Sequence, residues 1–198
     1  MGRRQNYKTL PLMDRYTTTQ AIVINKQKRG EGDLLLTLYT PKLGKIICLA
    51  KGVQSLKSRR LGHLEIGNII KTSLYQKNNY LWLSESKSEL SFLQHSQKLN
   101  QIGLLFYFLE IVNHLIPQQQ PEDELYPILV NIITSIRQNN FSAFIQNEII
   151  FLEKLGYGVP PEIKTSFDQK DYKQAQNFIK NYCESIIEKP LNSSKIFS

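Results

Sequence analysis

Cysteine is scarce in this chain of 198 residues, which holds only Cys48 and Cys183. Two cysteines so far apart can build neither a disulfide framework nor a Cys-x-x-Cys metal site, so both are expected as buried thiols. The three histidines, His63, His95 and His114, stand at no metal-ligand spacing from a cysteine or from one another. No apolar run approaches the roughly 18 residues of a membrane span; the longest pieces are stretches such as Ile102 to Phe108. The basic start, Met1-Gly2-Arg3-Arg4, is followed by polar residues where a signal peptide needs its apolar core. These absences predict a soluble, cytoplasmic protein with no metal or other cofactor and no membrane partner.

Catalytic constellations are missing too. The chain has no Gly-x-x-x-x-Gly-Lys-Ser/Thr loop, no Gly-x-Gly-x-x-Gly opening a helix, no His-Glu-x-x-His and no nucleophile elbow. The acidic residues are scattered, so Glu31, Asp33 and Glu65 are expected in structural ion pairs rather than around a catalytic metal. A non-enzymatic role is the expectation.

What is present is positive charge, and it is uneven. The net charge is +8. Residues 1–90 carry 16 Lys and Arg against 6 Asp and Glu, a surplus of ten, whereas residues 91–198 carry 9 against 11. A clustered positive field attracts polyanions and speeds their encounter, which favours nucleic acid as the partner of the front half, with an anionic membrane surface as the alternative.

With 41% hydrophobic residues the chain can bury a core. Residues 1–16 lack periodicity and read as an N-terminal extension bearing Arg3, Arg4, Lys8 and Arg15, either an arm on nucleic acid or a loose end. From 17 to 90, short β-branched and apolar runs alternate with turn clusters. Five strands are expected: Thr17 to Lys28, Leu34 to Tyr39, Lys45 to Lys51, Asn68 to Tyr75 and Tyr80 to Glu85. In the second, Leu34, Leu36 and Leu38 share one face, Leu35, Thr37 and Tyr39 the other. Five short strands without a crossover helix favour a small closed antiparallel barrel, of OB or SH3-like type. The polar stretch Ser84 to Asn100 reads as the boundary.

From 98 to 198 the period becomes helical. Ile102, Leu105, Leu109, Val112 and Ile116 share a face, as do Leu125, Leu129, Ile132 and Ile136 behind an acidic Pro121-Glu122-Asp123-Glu124 start. A third helix is expected from Phe141 to Leu155, stopping at Gly156-Tyr157-Gly158 with Pro160-Pro161 preventing continuation, and a fourth around Tyr172 to Ile186. The fold class is therefore α+β, a barrel followed by an all-helical domain.

The strongest local feature is the loop between the third and fourth strands, where Lys51, Lys57, Arg59 and Arg60 stand among Gly and Ser residues. Long cationic side chains can follow a phosphate backbone without reading sequence, and the Ser58 hydroxyl adds a phosphate hydrogen bond. Arg29, Lys42 and Lys45, with Lys26 and Lys28, would extend the track. Tyr39, Tyr75, Tyr80 and Trp82 are the rings that fall on or beside strands, as core residues or as base-stacking platforms. An RNA-binding barrel or a protein-interaction adaptor gripping acidic segments would share this charge pattern.

Gly30-Glu31-Gly32-Asp33, then Leu36-Thr37-Leu38-Tyr39-Thr40, Gly44-Lys45, Leu49-Ala50-Lys51-Gly52, Lys57-Ser58-Arg59 and Leu61-Gly62-His63-Leu64-Glu65 follow the order and spacing found in the bacterial RecO family. Leu155-Gly156-Tyr157-Gly158 and Lys189-Pro190-Leu191-Asn192-Ser193-Ser194-Lys195 resemble later points of that family. The resemblance implies an N-terminal OB-fold binding single- and double-stranded DNA, a helical domain, strand annealing in DNA recombination and repair, and a cytoplasmic, nucleoid-associated location. It also implies RecR as partner in loading RecA, and the C-terminal tail of the single-stranded-DNA-binding protein as a further partner. Many family members carry a four-cysteine zinc module after the Leu-Gly-Tyr-Gly point; residues 159–182 here contain no cysteine, so no zinc site is carried over, and that segment is expected to be shortened and helical.

Overall fold

The computed structural model describes residues 16–53, 61–77, 80–94 and 98–193. They form two compact units. The first holds strands β1 (Tyr16–Arg29), β2 (Asp33–Thr40), β3 (Gly44–Ala50), β4 (Ile69–Lys77) and β5 (Tyr80–Leu90), with a 3-10 turn at Leu61–Leu64. The second holds helices α1 (Leu99–Leu115), α2 (Leu125–Arg137), α3 (Phe141–Lys154), α4 (Pro161–Asp168) and α5 (Tyr172–Ile187). The α+β class is as the sequence predicts.

The strands close into an OB-like barrel in the order β1-β2-β3-β5-β4. One strand serves two neighbours: Tyr16 to Ile22 pair with β4, and Ile22 to Arg29 pair with β2. A register shift between Val23 and Asn25 falls where the partner changes, which is how a bulge turns a barrel corner. The expectation of a wholly antiparallel barrel is corrected at one seam, since β3 and β5 run parallel through Cys48–Leu81, Leu49–Trp82 and Ala50–Leu83. A parallel pair needs a long connection, and here residues 51–79, with β4 inside them, supply it.

Alternation places Leu34, Leu36 and Leu38 in the barrel core with Ile46, Cys48, Ile70, Leu74, Leu81 and Leu83. Val53 and Leu64 join that core from the β3–β4 connection. Each such side chain contributes about 1.5–3 kcal/mol by leaving water. The fifth strand runs on past the expected Glu85 to Leu90, and the second unit begins at Phe92, within the Ser84 to Asn100 stretch. Residues Gln118–Pro121 belong to the barrel unit. Gln118 bridges Lys45 in parallel, and the Gln119 N–H donates to the Lys45 carbonyl at 2.9 Å. Gly44 makes this close approach feasible: its φ is +64°, and a Cβ there would lie 2.6 Å from the Gln120 carbonyl oxygen.

In the helical unit, one end-motif recurs. After α3, the N–H of Gly156 (φ +82°) donates to Glu153 and that of Tyr157 to Leu152, both at 3.0 Å. This paired arrangement satisfies the last carbonyls of a helix. Asn139 ends α2 and Lys170 ends α4 in the same way, and in both the following residue, Asn140 or Asp171, caps the next helix by accepting from Ala143 or Gln174. The acidic Glu122, Asp123 and Glu124 precede α2 rather than forming its first turn; Glu124 instead meets Lys154 at 2.6 Å. Between the Leu-Gly-Tyr-Gly point and α5, in the segment expected to be helical, lies α4, which starts at Pro161. Pro160-Pro161 does stop α3, but a proline at the first helical position also opens a new helix, since its missing N–H has no partner there anyway.

Candidate nucleic-acid interface

The basic residues singled out from sequence separate into two groups in the barrel. Arg29 pairs with Asp33 across the β1–β2 turn, and Asp33 Oδ1 accepts the Gly52 N–H at 2.9 Å. That bond draws the β1–β2 turn against the residues leaving β3, so exposed Arg29 and Lys51 stand at the same end of the barrel, with Lys28 beside them. Lys42 is exposed in the β2–β3 turn, at the opposite end of the hairpin. Seven residue steps along β2 separate the two ends by about 24 Å.

Lys57, Ser58, Arg59 and Arg60 lie outside the described residues. The connection that carries them is anchored on both sides. Gly52 is held by Asp33 before it, and behind it the buried Asn68 side chain donates to the carbonyls of Gly62 and His63, each at 3.0 Å. His63 itself contacts the Ser86 carbonyl through Nδ1 at 2.8 Å, a structural role.

Lys45 departs from the outer track. It is 5% exposed, and burial lowers its ammonium to about 8. A cation in that position cannot follow a phosphate chain across the surface. Lys26 is likewise engaged, 2.5 Å from Glu65, which satisfies the expectation that Glu65 forms a structural ion pair. The free thiols Cys48 and Cys183 are buried, as expected, and burial pushes Cys48 up to about 12. Among the described residues no group of three or more His, Cys, Asp or Glu side chains could hold a metal ion, and no helix is long and apolar enough to cross a membrane.

Of the four rings considered from sequence, Tyr39 is fully buried, whereas Tyr75 and Trp82 are partly exposed and Tyr80 is 37% exposed. A further ring, Tyr16, was passed over because it precedes the first clear alternation. It begins β1 and pairs directly with Tyr75. The signal that could have found it is the run of Thr17, Thr18 and Thr19, whose β-branched side chains favour a strand starting no later than there.

Residues 13–92 match the family model described as the N-terminal part of recombination protein O. Curated proteins called DNA repair protein RecO extend the similarity beyond the barrel. That of Dehalococcoides mccartyi is 30% identical over 148 residues, covering 74% of this chain and 58% of its own. That of Syntrophobacter fumaroxidans is 29% identical over 143 residues, covering 71% and 57%, and that of Roseiflexus is 30% identical over 151 residues, covering 74% and 52%. The chain thus spans a little over half the length of these relatives. The match runs through the barrel that carries the basic turns and on into the helices behind it, and on that ground the chain belongs to the RecO family.

Proposed function

We propose that the protein works in DNA repair and recombination by binding rather than catalysis, holding single- and double-stranded DNA on the basic end of its barrel and annealing complementary strands. The observation that carries the reading is the Asp33–Gly52 bond, which draws exposed Arg29 and Lys51 to one end of the barrel, in a front half of the chain with a surplus of ten positive charges. Cations gathered in this way neutralise phosphates on two strands at once, so that complementary bases meet with less repulsion. The contacts are to phosphate, so binding is largely independent of sequence and sensitive to salt.

The reading extends to partners. We place the protein with RecR in loading RecA onto DNA coated by single-stranded-DNA-binding protein, with the C-terminal tail of that coat protein received by the helical unit. Support for this comes from family membership and from the division of charge, which leaves residues 91–198 with a deficit of two positive charges and no electrostatic claim on DNA.

Fluorescence anisotropy with a labelled single strand at several salt concentrations tests the DNA reading. Each phosphate contact contributes about −0.7 to the salt slope for a single strand, so Arg29→Ala/Lys51→Ala should flatten the slope by about 1.4 and Lys57→Ala/Arg59→Ala/Arg60→Ala by about 2. Lys42→Ala, at the far end of the hairpin, should leave the slope nearly unchanged. Equal slopes for all four proteins would remove the basic end from the interface.

A further inference from the structure

Three aromatic residues occupy one transverse row of the barrel's outer wall. Tyr16 of β1 pairs with Tyr75 of β4, and Tyr75 pairs with Trp82 of β5, so each of three adjacent strands places one ring in register. The Tyr16 and Tyr75 ring centres are 5.6 Å apart and tilted by 42°; those of Tyr75 and Trp82 are 6.4 Å apart and nearly parallel, at 17°. Tyr16 is 63% exposed, and both other rings are partly exposed. The indole is held in place by a hydrogen bond from Nε1 to the Lys77 carbonyl at 3.4 Å.

Cross-strand aromatic pairing alone could serve stability, at about 0.2–1 kcal/mol per pair. Two further features argue for a ligand. Exposed Lys77 flanks the row on one side, and the exposed pair Lys71 and Lys87 lies two rows away on the other, and none of these three forms an ion pair with a described residue. Glu85 and Glu89 share this wall, but the Glu89 carboxylate is taken up by the Gln20 side chain at 2.8 Å. The row is also continuous with the basic end. Trp82 pairs with Leu49, two residues before Lys51, which puts Lys51 on the order of 10 Å from Trp82 by strand spacing and rise.

We propose that the Tyr16–Tyr75–Trp82 row is a base-stacking platform for single-stranded nucleic acid, with Lys51, Lys71 and Lys77 meeting the phosphates on either side. The inference rests on the nucleic-acid-binding reading and adds to it a surface that tells single strands from duplex. Phosphates are equally available in both, but only an unpaired base offers its face to a ring. Stacking on aromatic side chains is sequence-tolerant, as annealing of arbitrary strands requires.

Trp82 is the chain's sole tryptophan, so its emission reports on the platform without any substitution. The full chain is titrated with oligothymidine and, separately, with a duplex of equal length, while emission and anisotropy are followed. Stacking predicts quenching of Trp82 by the single strand and little change with duplex. Tyr16→Ala, at the exposed end of the row, should weaken single-strand binding about 5- to 150-fold, the equivalent of 1–3 kcal/mol for one stacked base, with duplex binding and salt slope unchanged; Tyr16→Phe should restore it. Unaltered emission together with wild-type affinity in Tyr16→Ala overturns the platform while leaving phosphate binding standing. No binding of either nucleic acid overturns both, and equal losses for single strand and duplex assign the row to barrel structure.

Discussion

The barrel and the helical unit bury their side chains under different electrostatic terms. In the barrel the core cluster runs from Leu34, Leu36 and Leu38 to Leu81 and Leu83, and among the described residues the charged one buried there is a cation, Lys45. The helical unit carries a carboxylate inside. Glu148 on α3 is 2% exposed, and the side-chain neighbour that opposes the effect of burial is the Tyr107 hydroxyl, which faces the carboxyl without meeting it in good hydrogen-bond geometry. Burial holds the Glu148 carboxyl well above the ordinary carboxylate range and raises the Tyr107 phenol as well. The same unit handles a second carboxylate differently. Glu110 on α1 accepts four hydrogen bonds of 2.7–3.1 Å from Asn192 and Ser193; burial opposes its charge, but these bonds outweigh that and keep its carboxyl below the usual range. The comparison teaches that a carboxyl favours its charged form where backbone and hydroxyl donors surround it and holds its proton more tightly where burial dominates.

The largest test of this contrast is Leu36→Ala in the barrel. Leu36 is fully buried, and removing it should cost about 2–5 kcal/mol, read as a lower urea midpoint. That loss should be the same at pH 5 and pH 6.5, since the buried barrel groups Lys45, near 8, and Cys48, near 12, change charge only above that range. Replacing Glu148 tests the other side. In the unfolded chain its carboxyl titrates near 4.5, and in the folded chain it titrates higher. The folded state therefore holds an extra proton between those values, and stability is complete below 4.5 and declines as pH rises toward the folded value. Glu148→Gln, which cannot ionise, should abolish that decline and be more stable than the wild type at pH 8, with little difference at pH 4. Urea denaturation across that range checks it, and parallel profiles for the two proteins would sink the assignment of a buried proton. The smallest effect is at a helix end. Lys170 adopts a φ of +62°, a region glycine enters freely, so Lys170→Gly should raise the melting temperature slightly, by the equivalent of at most about 1 kcal/mol.

Much of this was legible before any coordinates. Alternation at Leu34, Leu36 and Leu38 named the barrel's inner face because strand periodicity is a local property. Gly156 was legible as a helix stop, and so was the concentration of charge in residues 1–90. Lys45 was not, because a lysine among basic neighbours looks the same in sequence whether it faces water or is buried, and only the structure seats residues 118–121 on its strand. Among the described cations of the track, Arg29 and Lys51 lie at one end of the β2–β3 hairpin and Lys42 at the other for a similar reason: proximity along the chain says nothing of which turns a barrel brings together. The aromatic row is the sharpest case, since Tyr16 and Trp82 are 66 positions apart and meet only through Tyr75.

By itself the sequence determined the element types, the basic front half and the motif string of the RecO family, since these depend on residue periodicity, turn chemistry and composition. Tertiary structure alone decided the parallel β3–β5 seam, the joining of Arg29 to Lys51 through Asp33 and Gly52, and the register of the three rings. These depend on barrel closure, which couples residues far apart in the chain through strand pairing and leaves no periodic mark on the sequence.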